Sequence, residues 1–114
     1  MKPKYALITG ASSGIGLEIA KSLAKRNFNL VLTARSEETL KELSKEIAAN
    51  FSVKVDYISC DLINKEAPQQ LYDFCNEKGY QIEMLVNNAG YSIPTSFDQT
   101  PMEEEEEFIR VLGI

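Results

Sequence analysis

The chain has no histidine. That excludes a Ser-His-Asp triad, a Cys-His pair and any His-ligated metal site within these residues. Cysteine is scarce as well. Cys60 and Cys75 are spaced for neither a redox C-x-x-C motif nor a zinc pattern, so two reduced thiols and no metal are expected. Basic residues are few and scattered: Lys and Arg total 12 against 17 Asp and Glu, for a net charge of -5. With no basic stripe, nucleic acid is not an expected partner. No apolar run approaches the ~20 residues of a membrane span. The leading Met1-Lys2-Pro3-Lys4 has neither the apolar core nor the small-residue cleavage site of a signal peptide, so the cytoplasm is the expected compartment.

A hydrophobic share of 44% over 114 residues suits one globular domain spanning 1–114 with a modest core. Short continuous apolar runs read as buried strands: Tyr5 to Ile8, Leu30 to Leu32 and Met84 to Val86. Val53, Val55 and Tyr57 alternate as a further strand. Between them lie helical patterns. Gly14 to Arg26 carries Ile15, Ile19 and Leu23 as its apolar stripe. Ser36 can cap a helix that buries Leu40, Leu43 and Ile47, with Glu37 and Glu38 favoured in its first turn. Asn64 to Lys78 turns Leu71, Phe74 and Cys75 inward and ends at Gly79. Thr100-Pro101-Met102-Glu103 is a capping box for a last helix carrying Phe108, Val111 and Leu112 on one side. The acidic run Glu103 to Glu107 reads as the solvated face of that helix. The alternation predicts an α/β fold, a doubly wound parallel sheet of about four strands with flanking helices.

The first strand runs into Thr9-Gly10-Ala11-Ser12-Ser13-Gly14-Ile15-Gly16. A strand, a glycine-rich turn and a helix N-terminus form an anion site, because free backbone N–H groups and the helix dipole face the ligand. Gly10 permits the tight turn, Gly14 clears the approach of a pyrophosphate, and Gly16 lets the helix lie close to the sheet. No Gly-Lys-Ser/Thr follows, so this is not a P-loop. The end of the second strand, where an acid would bind ribose hydroxyls and select NAD, has Thr33-Ala34-Arg35. Arg35 can hold a 2′-phosphate, which favours NADP over NAD; the competing reading is a surface arginine. Asp61 is placed to accept a hydrogen bond from adenine, or else to cap the next turn. Asn87-Asn88-Ala89-Gly90 closes the fourth strand with small residues that admit a ribose.

Together, TGASSGIG at Thr9–Gly16, Arg35, Cys60-Asp61-Leu62 and Leu85-Val86-Asn87-Asn88-Ala89-Gly90 resemble the short-chain dehydrogenase/reductase family across essentially the whole chain. The resemblance implies a Rossmann-type fold and hydride transfer between NADP(H) and a small-molecule carbonyl or alcohol. It implies that Gly10, Ala11, Ser12, Ser13, Gly14, Ile15 and Gly16 hold the pyrophosphate and adenine ribose. Arg35 would then read the 2′-phosphate, Asp61 and Leu62 bind adenine, and Asn88, Ala89 and Gly90 line the cofactor ribose. A homo-oligomer is implied on the same basis. The acidic stretch before Phe108-Ile109 resembles a branch of little-characterised reductases and, more weakly, the long-chain 3-oxoacyl-CoA reductases.

Two departures stand against that pattern. The family's proton donor is a tyrosine whose pKa is lowered by a lysine four residues later, with a serine positioning the substrate. Tyr5, Tyr57, Tyr72, Tyr80 and Tyr91 are followed at that spacing by Thr9, Asp61, Asn76, Met84 and Thr95, so no catalytic residue is assigned. Leu112 falls where the family carries a relay asparagine; either the relay is altered or the register differs by a residue or two. A bare outer edge on Met84–Val86 would be a pairing hazard, which suggests a chain cut short at Ile114. The alternative expectation is a non-catalytic module that binds NADP(H).

Overall fold

The computed structural model describes residues 4–12, 14–61, 64–88 and 110–113, the last of these as backbone. The elements are β1 (Lys4–Thr9), α1 (Gly14–Lys25), β2 (Asn29–Ala34), α2 (Glu37–Phe51), β3 (Val55–Ser59), α3 (Ala67–Lys78), β4 (Gln81–Asn87) and β5 (Arg110–Gly113). They form one all-parallel sheet in the order β3-β2-β1-β4-β5. The chain steps outward from β1 to β3, then returns to the far side of β1 for β4. That reversal makes a doubly wound Rossmann-type sheet and puts a topological switch point between β1 and β4.

The central strands carry continuous apolar runs because both faces are covered. Ala6 and Ile8 of β1 pack with Leu30 and Leu32 of β2 under α1 and α2, against Ala20, Leu23, Leu40 and Ile47. Tyr5 and Leu7, one residue out of phase, pack with Val31 and Leu85 against Leu71 and Cys75 of α3. Each fully buried aliphatic side chain here contributes roughly 1.5–3 kcal/mol. Cys60 and Cys75 are free and buried in that second core. Burial and, secondarily, the charge of Asp56 push the Cys75 thiol up to about 12, so it behaves as a small apolar side chain. At the amino ends of the strands, Tyr5 stacks on Tyr80 with centroids 4.1 Å apart. The Tyr80 hydroxyl donates to Asp56 Oδ2 at 2.5 Å, tying the entry of β4 to β3.

Three expectations need correction. The stripe of α1 does not include Ile15, which is 58% exposed; Gly16, Ala20, Leu23 and Ala24 are the buried residues. Small residues let the helix axis approach the sheet, so Gly and Ala face inward where the larger Ile15 would hold it off. Helix α3 starts at Ala67 with Pro68 in its first turn, three residues later than Asn64. Asn64 instead takes a turn whose amide donates to the Asp61 carbonyl at 2.9 Å. Finally, Val111 and Leu112 lie in β5 and not on a helix. They pair with Leu85 and Val86, so the β4 edge expected to be bare is covered by β5. A four-residue segment such as Arg110–Gly113 is too short to carry a period that separates strand from helix, and the open ladder of β4 decides the matter. Thr100 to Ile109, including the capping box, the acidic run and Phe108, lies outside the described residues.

Candidate functional site

The carboxyl ends of β1, β2, β3 and β4 share one edge of the sheet, and the predicted site residues gather there. At the end of β1, Gly10 and Gly14 both take left-handed conformations, with φ of 63° and 59°. A Cβ on Gly14 would meet nothing within 4 Å. Its backbone therefore faces open space in a conformation that side chains disfavour. The first turn of α1 has no acidic residue, so no charge within that turn offsets the positive end of the helix dipole. Ala11 is fully buried, and its amide donates to the Thr33 carbonyl at 3.2 Å, tying the loop to β2.

Gly16 is required by contact. A Cβ there would run into the Gly10 carbonyl oxygen and come within 2.5 Å of Asn88 Nδ2. The start of α1, the end of β1 and the end of β4 are thus in van der Waals contact. Asn88 locks the junction. Its amide donates to Thr9 Oγ1 at 2.9 Å and its Nδ2 to the Gly10 carbonyl at 3.2 Å. Thr9 Oγ1 in turn faces Asn87 Oδ1 at 3.1 Å and the Val86 carbonyl at 3.4 Å. So the side-chain amide of Asn88, expected to line a ribose, braces the glycine loop. Thr9 was not assigned a role by sequence reasoning. Its one signal was a hydroxyl closing an otherwise apolar strand, and it is fully buried.

Arg35 follows β2 and is exposed. No carboxylate among the described residues pairs with its guanidinium. Ser36 caps α2 as expected, its Oγ accepting from the Thr39 amide at 3.3 Å. The end of β3 adjoins this corner: the Cys60 amide donates to the Ala34 carbonyl at 2.9 Å, and Ser59 Oγ donates to the Arg35 carbonyl at 2.8 Å. Asp61 is the next exposed residue on that edge. Burial first, and the Asp61 charge second, push the Cys60 thiol above its ordinary value. The structure thus brings Gly10, Ala11, Ser12, Gly14, Ile15, Gly16, Arg35, Asp61 and Asn88 to one edge. Ser13, Leu62, Ala89 and Gly90 lie outside the described residues. The described tyrosines stand elsewhere: Tyr5 and Tyr80 at the opposite ends of the strands, Tyr57 within β3, and Tyr72 on α3. Among the described residues no group of three or more His, Cys, Asp or Glu could hold a metal, and no helix is long and apolar enough to cross a membrane.

A sequence profile of the family described as short chain dehydrogenase matches residues 4–112. The chain belongs to that family. Among short chain dehydrogenases and related proteins, a very-long-chain 3-oxoacyl-CoA reductase of Kluyveromyces lactis is 41% identical over 114 residues, covering 96% of this chain and 32% of the yeast protein. The solved alcohol dehydrogenase of Thermococcus sibiricus, complexed with 5-hydroxy-NADP, superposes with a TM-score of 0.74 at 31% identity, covering 93% of this chain and 46% of that one. L-sorbose reductase of Gluconobacter frateurii, complexed with NADPH and L-sorbose, gives a TM-score of 0.73 at 33% identity over 90% of this chain and 40% of that one. This short chain dehydrogenase sequence spans less than half the length of each of these relatives.

Proposed function

We propose that these residues are the nucleotide-binding part of an NADP-dependent oxidoreductase acting on a carbonyl or alcohol. The observation that carries the reading is the pairing of an acid-free, glycine-built start of α1 with an Arg35, at the end of the adjoining strand, that no carboxylate among the described residues pairs. The residues fit the cofactor. Gly14 leaves room for a pyrophosphate over backbone N–H groups. Arg35 can hold a 2′-phosphate by charge-assisted hydrogen bonds. Asp61, on the same edge, supplies an acceptor for an adenine amino group. NADPH, when bound, supplies a hydride equivalent. The chain's own part is to bind and orient: Asn88 and Thr9 hold the loop in shape, and the buried Ala11 fixes its height over β2. The complexes of the two solved relatives, with 5-hydroxy-NADP and with NADPH, support the choice of the phosphorylated cofactor. The yeast relative's name makes an acyl thioester one substrate class to try.

The test is cofactor titration of the natural gene product. Arg35→Ala should weaken NADPH binding about 10–100-fold, the loss of one charge-assisted phosphate contact, and leave NADH binding nearly as it was. Equal losses for both nucleotides would count against the assignment.

A second reading is a module that binds NADP(H) without turning it over. Within these 114 residues it is consistent with one observation, that none of the five tyrosines has a lysine four residues later. Carbonyl-dependent oxidation of NADPH by the natural gene product would exclude it.

A further inference from the structure

Strand β2 ends at Ala34 and helix α2 begins at Glu37. Two residues, Arg35 and Ser36, make the corner. Ser36 is fixed by its capping role, with φ of −91° and ψ of 108°. Arg35 has no ladder partner, and a long side chain on an unsupported backbone could point in many directions. The backbone is not unsupported. The carbonyl before Arg35, that of Ala34, accepts from the Cys60 amide at 2.9 Å. Its own carbonyl accepts from Ser59 Oγ at 2.8 Å. Both peptide planes flanking the Arg35 Cα are therefore held by the end of β3, and with them the direction of its Cα–Cβ bond. The first clamp is a backbone contact that any residue at position 60 other than proline would make. The second depends on a side-chain hydroxyl.

We infer that Ser59 is a positioning residue for the 2′-phosphate of the cofactor, acting through the Arg35 carbonyl and so contributing to the choice of NADP over NAD. The inference rests on the reading that Arg35 receives that phosphate. Ser59 itself is exposed and buries nothing in the core. Its loss should therefore leave the fold intact while letting the Arg35–Ser36 peptide rotate. The guanidinium then spends part of its binding energy on ordering itself. A ligand without a 2′-phosphate does not use Arg35 and should not register the change.

The experiment is calorimetric titration of the natural gene product with 2′,5′-ADP and with 5′-AMP, beside its thermal unfolding. Ser59→Ala should weaken 2′,5′-ADP about fivefold, the size of one neutral hydrogen bond, and 5′-AMP by less than about twofold. Ser59→Thr, which keeps the hydroxyl, should restore the wild-type ratio. In an Arg35→Ala background the Ser59→Ala change should do nothing, because the two residues act as one unit. Equal weakening of both ligands would mean a general structural role and overturn the inference, as would an unchanged 2′,5′-ADP affinity. A wild-type protein that does not distinguish the two ligands would instead remove the Arg35 reading, and this inference with it.

Discussion

The starts of α1 and α2 are separated by one strand and solve the same problem in opposite ways. Every helix N-terminus has N–H groups with no partner inside the helix. At α2 the protein supplies partners itself: Ser36 Oγ accepts from the Thr39 amide, and Glu37 and Glu38 sit in the first turn to offset the dipole. At α1 there is no acid in the first turn, and the residue that opens it is a glycine in a left-handed conformation over open space. A terminus completed from within is structural. One whose first turn carries no acid, at the point where the sheet reverses direction, is suited to a ligand that brings its own negative charge. The contrast does more to identify the site than any one glycine, since glycines also end helices, as Gly79 does for α3.

Substitutions at the two termini should part company accordingly. The largest effect belongs to Gly16→Ala. Its Cβ meets backbone that cannot rotate away, so the cost in stability should be about 1–3 kcal/mol or more. NADPH binding should be lost as well, since the loop must shift; urea unfolding and a fluorescence titration read the two separately. Gly14→Ala comes next, because it adds a side chain where φ is 59°. It should cost about 1–2 kcal/mol while weakening NADPH by at least tenfold, roughly, if backbone there approaches a phosphate. Ser36→Ala is the converse: about 1 kcal/mol of stability from the lost cap, with NADH affinity unchanged when NADH is titrated in the same way. The smallest effect has the opposite sign. Ser44 of α2 is buried with an Oγ that has no hydrogen-bond partner among the described residues. Ser44→Ala should raise stability by about 0.5–1 kcal/mol, through removal of an orphan hydroxyl and better helix propensity. If it weakens cofactor binding, the division between a structural and a binding helix is wrong.

Much of this was legible in the residues because the signals were local. The apolar runs at Tyr5 and Leu30, the Ser36 cap and the Gly79 stop each depend on neighbours within a few positions. So does the glycine loop. What escaped depended on residues distant in sequence. The strand at Arg110–Gly113 is defined by the ladder that β4 offers it, which no pattern within RVLG can announce. The inward face of α1 is set by how close the sheet lies, so Ile15 fell on the wrong side of the stripe. The bracing role of Asn88 needs the carbonyl of a residue 78 positions earlier, and nothing near Asn88 records that partner.

That last contact bears on the order in which the protein can be made. The glycine loop leaves the ribosome early, complete in composition, and the first βαβ unit can form behind it. Yet the side chain that holds Gly10 in place, and the amide that holds Thr9, are both on Asn88, at the far end of the fourth strand. A nascent chain that has reached only α3 therefore carries every residue of the loop without the shape that makes it a receptor. On the proposed reading, nucleotide capture would wait until β4 has docked beside β1, and a bound nucleotide would report that the sheet has closed.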